Sequence, residues 1–101
     1  RNMKKGTARA PRFRGEAVDF VVDVRTKLEF LTGHLPGAIC IPVDELPAGL
    51  ARRGVSPESR ILLYCASGQR SATAASQLQA AGFRHVVDGG GMSDTLSHYE
   101  P

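Results

Sequence analysis

The chain has no tryptophan, and only two tyrosines and four phenylalanines among its 101 residues. So sparse a set excludes the aromatic base-stacking surface that single-stranded nucleic acid needs. No apolar run approaches the roughly 20 residues required to cross a bilayer, and no secretory h-region is present. Cysteine is scarce too. Cys40 and Cys65 have neither C-x-x-C nor zinc-ligand spacing. Two cysteines are no disulfide framework; a single bridge between them is an open alternative, but the surroundings of Cys65 suit a reduced thiol. His34, His85 and His98 are not spaced like metal ligands, so surface or structural roles are expected and no metal or other cofactor. Repeats, low-complexity tracts and linkers are absent as well. The length fits one domain with one core.

What the chain does have is charge of uneven distribution. Arg1, Lys4, Lys5, Arg9, Arg12 and Arg14 all precede the first acidic residue, Glu16. The rest holds 7 basic and 10 acidic residues, so the overall +3 belongs to residues 1–16 and not to a groove in the domain. Such an arm has the charge to meet nucleic acid or an anionic membrane surface. The preferred reading is a solvated, poorly ordered terminus ahead of a single domain at 17–101, with no nucleic-acid partner. "RNMKKGTAR" begins without an initiator Met and looks like the basic flank of a removed segment. Were that segment a membrane anchor, its charge would favour the cytoplasmic side. The compartment stays open on these grounds, the cytoplasm being favoured over an anchored or periplasmic location.

Strands and helices alternate along the rest. "AVDFVVDVR" predicts a strand over residues 18–24, apolar enough to be covered on both faces. "TKLEFLTGH" predicts a short helix with Thr26 as N-cap and Gly33 as its stop. "GAICIP" is a second short strand in which Cys40 is expected to be buried. "VDELPAGLARRG" reads as a helix with Pro47 in its first turn and Gly54 at its end. "RILLYC" is a wholly apolar strand after its first residue, and "SATAASQLQAAGF" a helix in which Ala72, Ala75, Leu78 and Ala81 recur at helical spacing. "RHVVDGG" is a fourth strand; "GMSDTLSHYEP" has room for a last turn or short helix. The alternation implies an α/β fold, a central parallel sheet of four to five strands flanked by helices on both faces. Ligands of such sheets sit beyond the carboxyl ends of the strands. Cys65 lies at such an end.

The stretch "YCASGQRS" places that thiol between a strand and a helix. A helix N-terminus offers unpaired N–H groups and partial positive charge, and a tight loop turns them inward as an anion nest. Gly68 gives the loop backbone freedom, and Ala66 and Ser67 are small enough to leave its centre open. Gln69 completes the loop. Arg70 adds a planar fork suited to an oxyanion, and Ser71 a cap or a hydroxyl donor. Helix N-termini and nearby cations lower a cysteine's pKa, so Cys65 is expected to be largely thiolate at neutral pH. A thiolate among anion donors can attack an anionic substrate. A buried strand-end cysteine is commonly just a small hydrophobe, but Cys, Gly, Arg and Ser together at this junction favour the nucleophile.

Over residues 18–92 the sequence resembles the rhodanese family in its single-domain, short bacterial form. "VVDVR", "KLEFLTGHLPGAICIP", "YCASGQRS", "AASQLQAAGF" and "VVDGG" match five family signatures in order. The resemblance implies a sulfurtransferase without cofactor, whose cysteine cycles through a persulfide. Cys65 would take the outer sulfur of an anionic donor such as thiosulfate and pass it to cyanide, a thiol or a protein acceptor. Residues 66–71 would cradle the donor. Asp23, Arg25, Glu29 and His34 fall in signatures whose usual role is structural, with Arg25 and Glu29 expected to form a local ion pair.

The chain departs from the family twice. It lacks the "I-[ST]-x-x-E-L" opening of longer members, which puts an edge strand in doubt, and Gly91-Met92 stands where a tryptophan often follows "DGG". Two rivals remain: a persulfide carrier or regulatory module docking to a protein partner, and a phosphatase or arsenate reductase on the same fold. Those phosphatases use C-x5-R, whereas Cys65 to Arg70 is C-x4-R, and no general acid is evident. "DGGGM" lacks a phosphate-binding pattern and reads as a tight loop near the site. Tyr64 is expected to point away from the thiol into the packing.

Overall fold

The computed structural model describes residues 9–101. Arg1, Lys4 and Lys5, and with them half of the expected basic arm, lie outside the described residues.

Four parallel strands form the main sheet in the order β4-β3-β5-β6: β3 is Phe20–Asp23, β4 Ile39–Cys40, β5 Arg60–Cys65 and β6 His85–Gly91. Every residue of β5 after Arg60 is buried, as a central strand covered on both faces requires. Alternation along the strands divides the apolar side chains into two cores. On one face Val22, Ile61, Leu63 and Cys65 pack with Leu50, Ala74, Ala75, Leu78 and Phe83. On the other, Val21, Leu62 and Tyr64 pack with Phe13, Val18, Leu35 and Tyr99. Registry of Asp23 with Cys40 and Tyr64 sets the strand ends level.

The connections place the helices. Thr26 caps α1 (Lys27–Leu31) through a capping box: its hydroxyl accepts from the Glu29 N–H, and the Glu29 carboxylate accepts from the Thr26 N–H. Helix α3 (Gln69–Ala80) begins two residues before the expected "SATAAS" start, because Gly68, at φ 105°, completes the reversal from β5 and leaves Gln69 and Arg70 helical. The single helix expected over "VDELPAGLARRG" is broken into a 3-10 turn at Val43–Glu45 and a short α2 at Ala48–Arg52. The residue before a proline is driven out of the helical region, and Leu46 is extended at φ −99°, ψ 151°. The last helix, α4 (Met92–Leu96), follows β6 directly.

A second, antiparallel patch lies outside the expected topology. β1 (Arg12–Phe13) and β2 (Glu16–Ala17) form a hairpin across Arg14 and Gly15, both at positive φ as a tight primed turn requires. β7 (Tyr99–Glu100) pairs with β1 on its other side. Folded structure thus reaches back into the stretch read as an arm ending at residue 16. The cause is Phe13, which is buried against the second core. No helix among the described residues is long and apolar enough to cross a membrane.

Candidate active site

β5 carries Cys65 to the carboxyl end of the sheet, where the backbone turns through Ala66 and Ser67 into α3. The turn folds donors onto sulfur. The Gly68 N–H donates to Sγ at 3.0 Å and the Ser71 N–H at 3.4 Å, with Ser71 Oγ 3.6 Å away. Ser71 itself is buried, and its hydroxyl also reaches the Gly68 and Gly90 carbonyls at 3.2 and 3.4 Å. Burial pushes the Cys65 thiol up. Hydrogen bonds from the Ser71 hydroxyl and the N–H groups of Ser71, Gly68 and Ser67 outweigh it, so the thiol titrates below its ordinary value. These donors open a 12-residue helix whose dipole adds positive charge at the same point.

Ala66, Ser67 and Gln69 are exposed, so they form the rim and not the floor. Arg70 does not reach over the sulfur. Its Nη1 and Nη2 donate to the two Glu29 carboxylate oxygens at 2.8 and 3.0 Å, tying the start of α3 to α1. Arg70 and the Thr26 amide hold the Glu29 carboxyl down at about 2. The expected Arg25–Glu29 pair is therefore replaced by two others. Arg25 instead forks onto Asp23, with Nε–Oδ1 at 2.9 Å and Nη2–Oδ2 at 2.7 Å, and donates from Nη2 to the Gly33 carbonyl at 2.7 Å. The reason is position: Asp23 is fully buried at the end of β3, two residues from Arg25, and a buried carboxylate demands a partner. This link fastens the end of β3 to the turn after α1. His34 stacks on Phe30 at 3.6 Å, with Nδ1 2.9 Å from the Phe30 carbonyl oxygen, closing α1.

Tyr64 is fully buried on the face opposite Cys65, and its hydroxyl accepts from the Leu35 N–H at 3.0 Å. Cys40 is half-buried at the end of the edge strand β4, and both thiols are free. Two strand spacings of about 4.8 Å separate its position from that of Tyr64, beyond the reach of a disulfide. Burial raises the Cys40 thiol.

The profile of the rhodanese-like domain family matches residues 7–94. The chain belongs to the rhodanese family. It is 31% identical over 78 residues to thiosulfate sulfurtransferase PspE of Escherichia coli (strain K12), covering 77% of this chain and 75% of that protein. It is also 31% identical to the putative sulfur carrier protein YrkF of Bacillus subtilis (strain 168), but spans only 36% of that longer protein. Among solved structures, an E. coli rhodanese with anions superposes with a TM-score of 0.71 at 31% identity, covering 74% of this chain and 88% of that one. The rhodanese-like domain of the Anabaena protein Alr3790 superposes with a TM-score of 0.72 at 26% identity, covering 82% and 62%.

In this rhodanese domain the back of the cysteine loop is glycine. A Cβ on Gly91 would lie 2.7 Å from the Ala66 carbonyl oxygen, and one on Gly89 would lie 2.7 Å from Thr95 Oγ1. "DGGGM" is thus the end of β6, paired at Gly91 with Cys65 across a register shift, and not a loop beside the site. Sequence reasoning missed Gly91 as a wall of the cradle. The available signal was three successive glycines closing an apolar strand, a mark of close backbone approach.

Proposed function

We propose that this chain transfers a sulfane sulfur from thiosulfate or a related donor to a thiophilic acceptor through a persulfide on Cys65. The observation that carries the reading is the thiol itself, held among N–H donors at the first turn of α3 and titrating low. Its thiolate attacks the outer sulfur of thiosulfate. A bond forms between Sγ and that sulfur, the sulfur–sulfonate bond breaks, and the bonding pair leaves with sulfite. The persulfide anion keeps the negative charge, which the N–H groups of Gly68 and Ser71 stabilise as they do the thiolate. Cyanide, a thiolate or a protein thiolate then attacks the outer sulfur and restores the Cys65 thiolate. No proton need move in either step with thiosulfate and cyanide, which agrees with a site that presents donors and no general acid.

The low position of the thiol serves both halves. It raises the fraction of thiolate available as the nucleophile, and it makes Cys65 a better leaving group when the acceptor attacks. Two half-reactions through a covalent intermediate require ping-pong kinetics. Parallel lines in double-reciprocal plots of thiocyanate formation, with no product from Cys65→Ser, are the expected result. Intersecting lines would mean direct transfer in a ternary complex and would sink the persulfide cycle.

The likeness to a protein named as a sulfur carrier favours a second reading, in which the persulfide is handed to a protein and not to a small molecule. The first half-reaction is the same. A fast persulfide formation followed by slow turnover with cyanide and thiols would select the carrier.

A further inference from the structure

Arg70 and Glu29 face each other end to end. Both forward-pointing N–H groups of the guanidinium are spent on the carboxylate, one on each oxygen. An oxyanion approaching Cys65 meets this end-on fork already filled, because a guanidinium pairs with a sulfonate in the geometry it uses for a carboxylate. The two ligands therefore compete for it. Glu29 also contributes a full negative charge beside the mouth of an anion site, and it stays ionised throughout the neutral range.

We infer that Glu29 is a specificity-determining residue: it occupies Arg70 as an internal competitor, so that Arg70 is recruited only by donors whose oxyanion can displace a carboxylate. The inference rests on the proposed sulfur transfer at Cys65. Three features make the exchange feasible. The pair is about one-third exposed on both sides, so water and ions screen it and can solvate a released carboxylate. The Glu29 carboxylate would not be stranded, since it keeps the Thr26 amide at 3.0 Å and hydroxyl at 3.1 Å. Arg70 is anchored in the first turn of α3, one residue before Ser71, so its fork has only to swing from α1 toward the sulfur.

The test uses Glu29→Gln. Glutamine retains the capping role at the third position of α1, so the helix is preserved while the charge is removed. In a Cys65→Ser background, which cannot turn over, sulfate and thiosulfate binding is measured by calorimetry at low ionic strength. Adding Glu29→Gln should tighten binding about fivefold, because the Arg70 fork, no longer held by a carboxylate, is released to the dianion. Adding Arg70→Ala as well should abolish that gain. With Cys65 present, Glu29→Gln should raise kcat/KM for thiosulfate about fivefold. It should leave transfer from 2-hydroxyethyl hydropersulfide, which carries neither an oxyanion nor an ammonium group, within about twofold.

Weaker or unchanged sulfate binding in Glu29→Gln would overturn the inference, since Glu29 would then position Arg70 or be idle. So would a gain that survives Arg70→Ala, which would reduce the effect to bulk charge. Binding and turnover separate the two levels. Tighter anion binding with no turnover in any Cys65 form would uphold the competition at Arg70 and refute sulfur transfer.

Discussion

Replacing Gly91 by alanine asks whether β6 holds the cysteine loop in shape. Gly91 sits at φ −72°, ψ 161°, angles open to any residue, so alanine brings no backbone penalty there. The added methyl is the whole perturbation. It would stand 2.7 Å from the Ala66 carbonyl oxygen and 3.4 Å from both the Ala66 carbonyl carbon and Ser67 Cα. Relief requires the loop or the end of β6 to retreat by about half an ångström. Overpacking of that kind costs about 1–3 kcal/mol. For a domain of this size the melting temperature should fall by about 5–20 °C. The loop is also the source of the Gly68 N–H on sulfur, so its retreat should weaken that donor and raise the thiol. Two measurements are needed: the melting temperature by circular dichroism, and the rate of Cys65 alkylation by iodoacetamide at pH 7 in a Cys40→Ser background. Phe13→Ala is the control, because it empties the second core, on the sheet face opposite Cys65, at a cost of about 3–5 kcal/mol. Gly91→Ala should lose both stability and alkylation rate, and Phe13→Ala stability alone. A Gly91→Ala protein with the wild-type melting temperature and alkylation rate would refute the packing argument.

Ser71→Ala removes the hydroxyl beside sulfur while keeping the N–H. The thiol should rise, so less thiolate is present at pH 7 and the pH profile of alkylation moves to higher pH; an unmoved profile would show that the backbone donors suffice. Asp23→Asn leaves the Arg25 guanidinium buried without its counter-charge. The expected loss is about 3–5 kcal/mol, measured as a lower urea midpoint with an unchanged slope, and a loss below 1 kcal/mol would mean that Arg25 escapes to solvent. Cys40→Ser should leave persulfide formation unaltered, because the sheet keeps the two thiols on separate strands and opposite faces. A changed rate in stopped-flow sulfite release would overturn that assignment.

The parallel sheet, its four strands and the place of Cys65 were legible because each rests on local pattern. "RILLYC" is apolar on both faces, and the strand, loop and helix around Cys65 follow one another within 20 residues. Thr26 was legible as a cap because its partner, Glu29, stands three positions along. What escaped depends on contacts remote in sequence. β1, β2 and β7 are two-residue strands joining residues near 13 to residues near 99, too short to show periodicity. The pairing of Glu29 with Arg70 spans 41 positions, whereas proximity along the chain points to Arg25. Pro47 is plain in the sequence, but the extended backbone it imposes on Leu46 splits the helix expected there.

The most direct test of the central claim is the intact mass of the reduced protein after thiosulfate treatment, beside Cys65→Ser. One added sulfur on the wild type alone, released as thiocyanate by cyanide with the mass restored, is the predicted result. A folded wild type that gains no sulfur, or a Cys65→Ser protein that gains one, would contradict a persulfide cycle at Cys65.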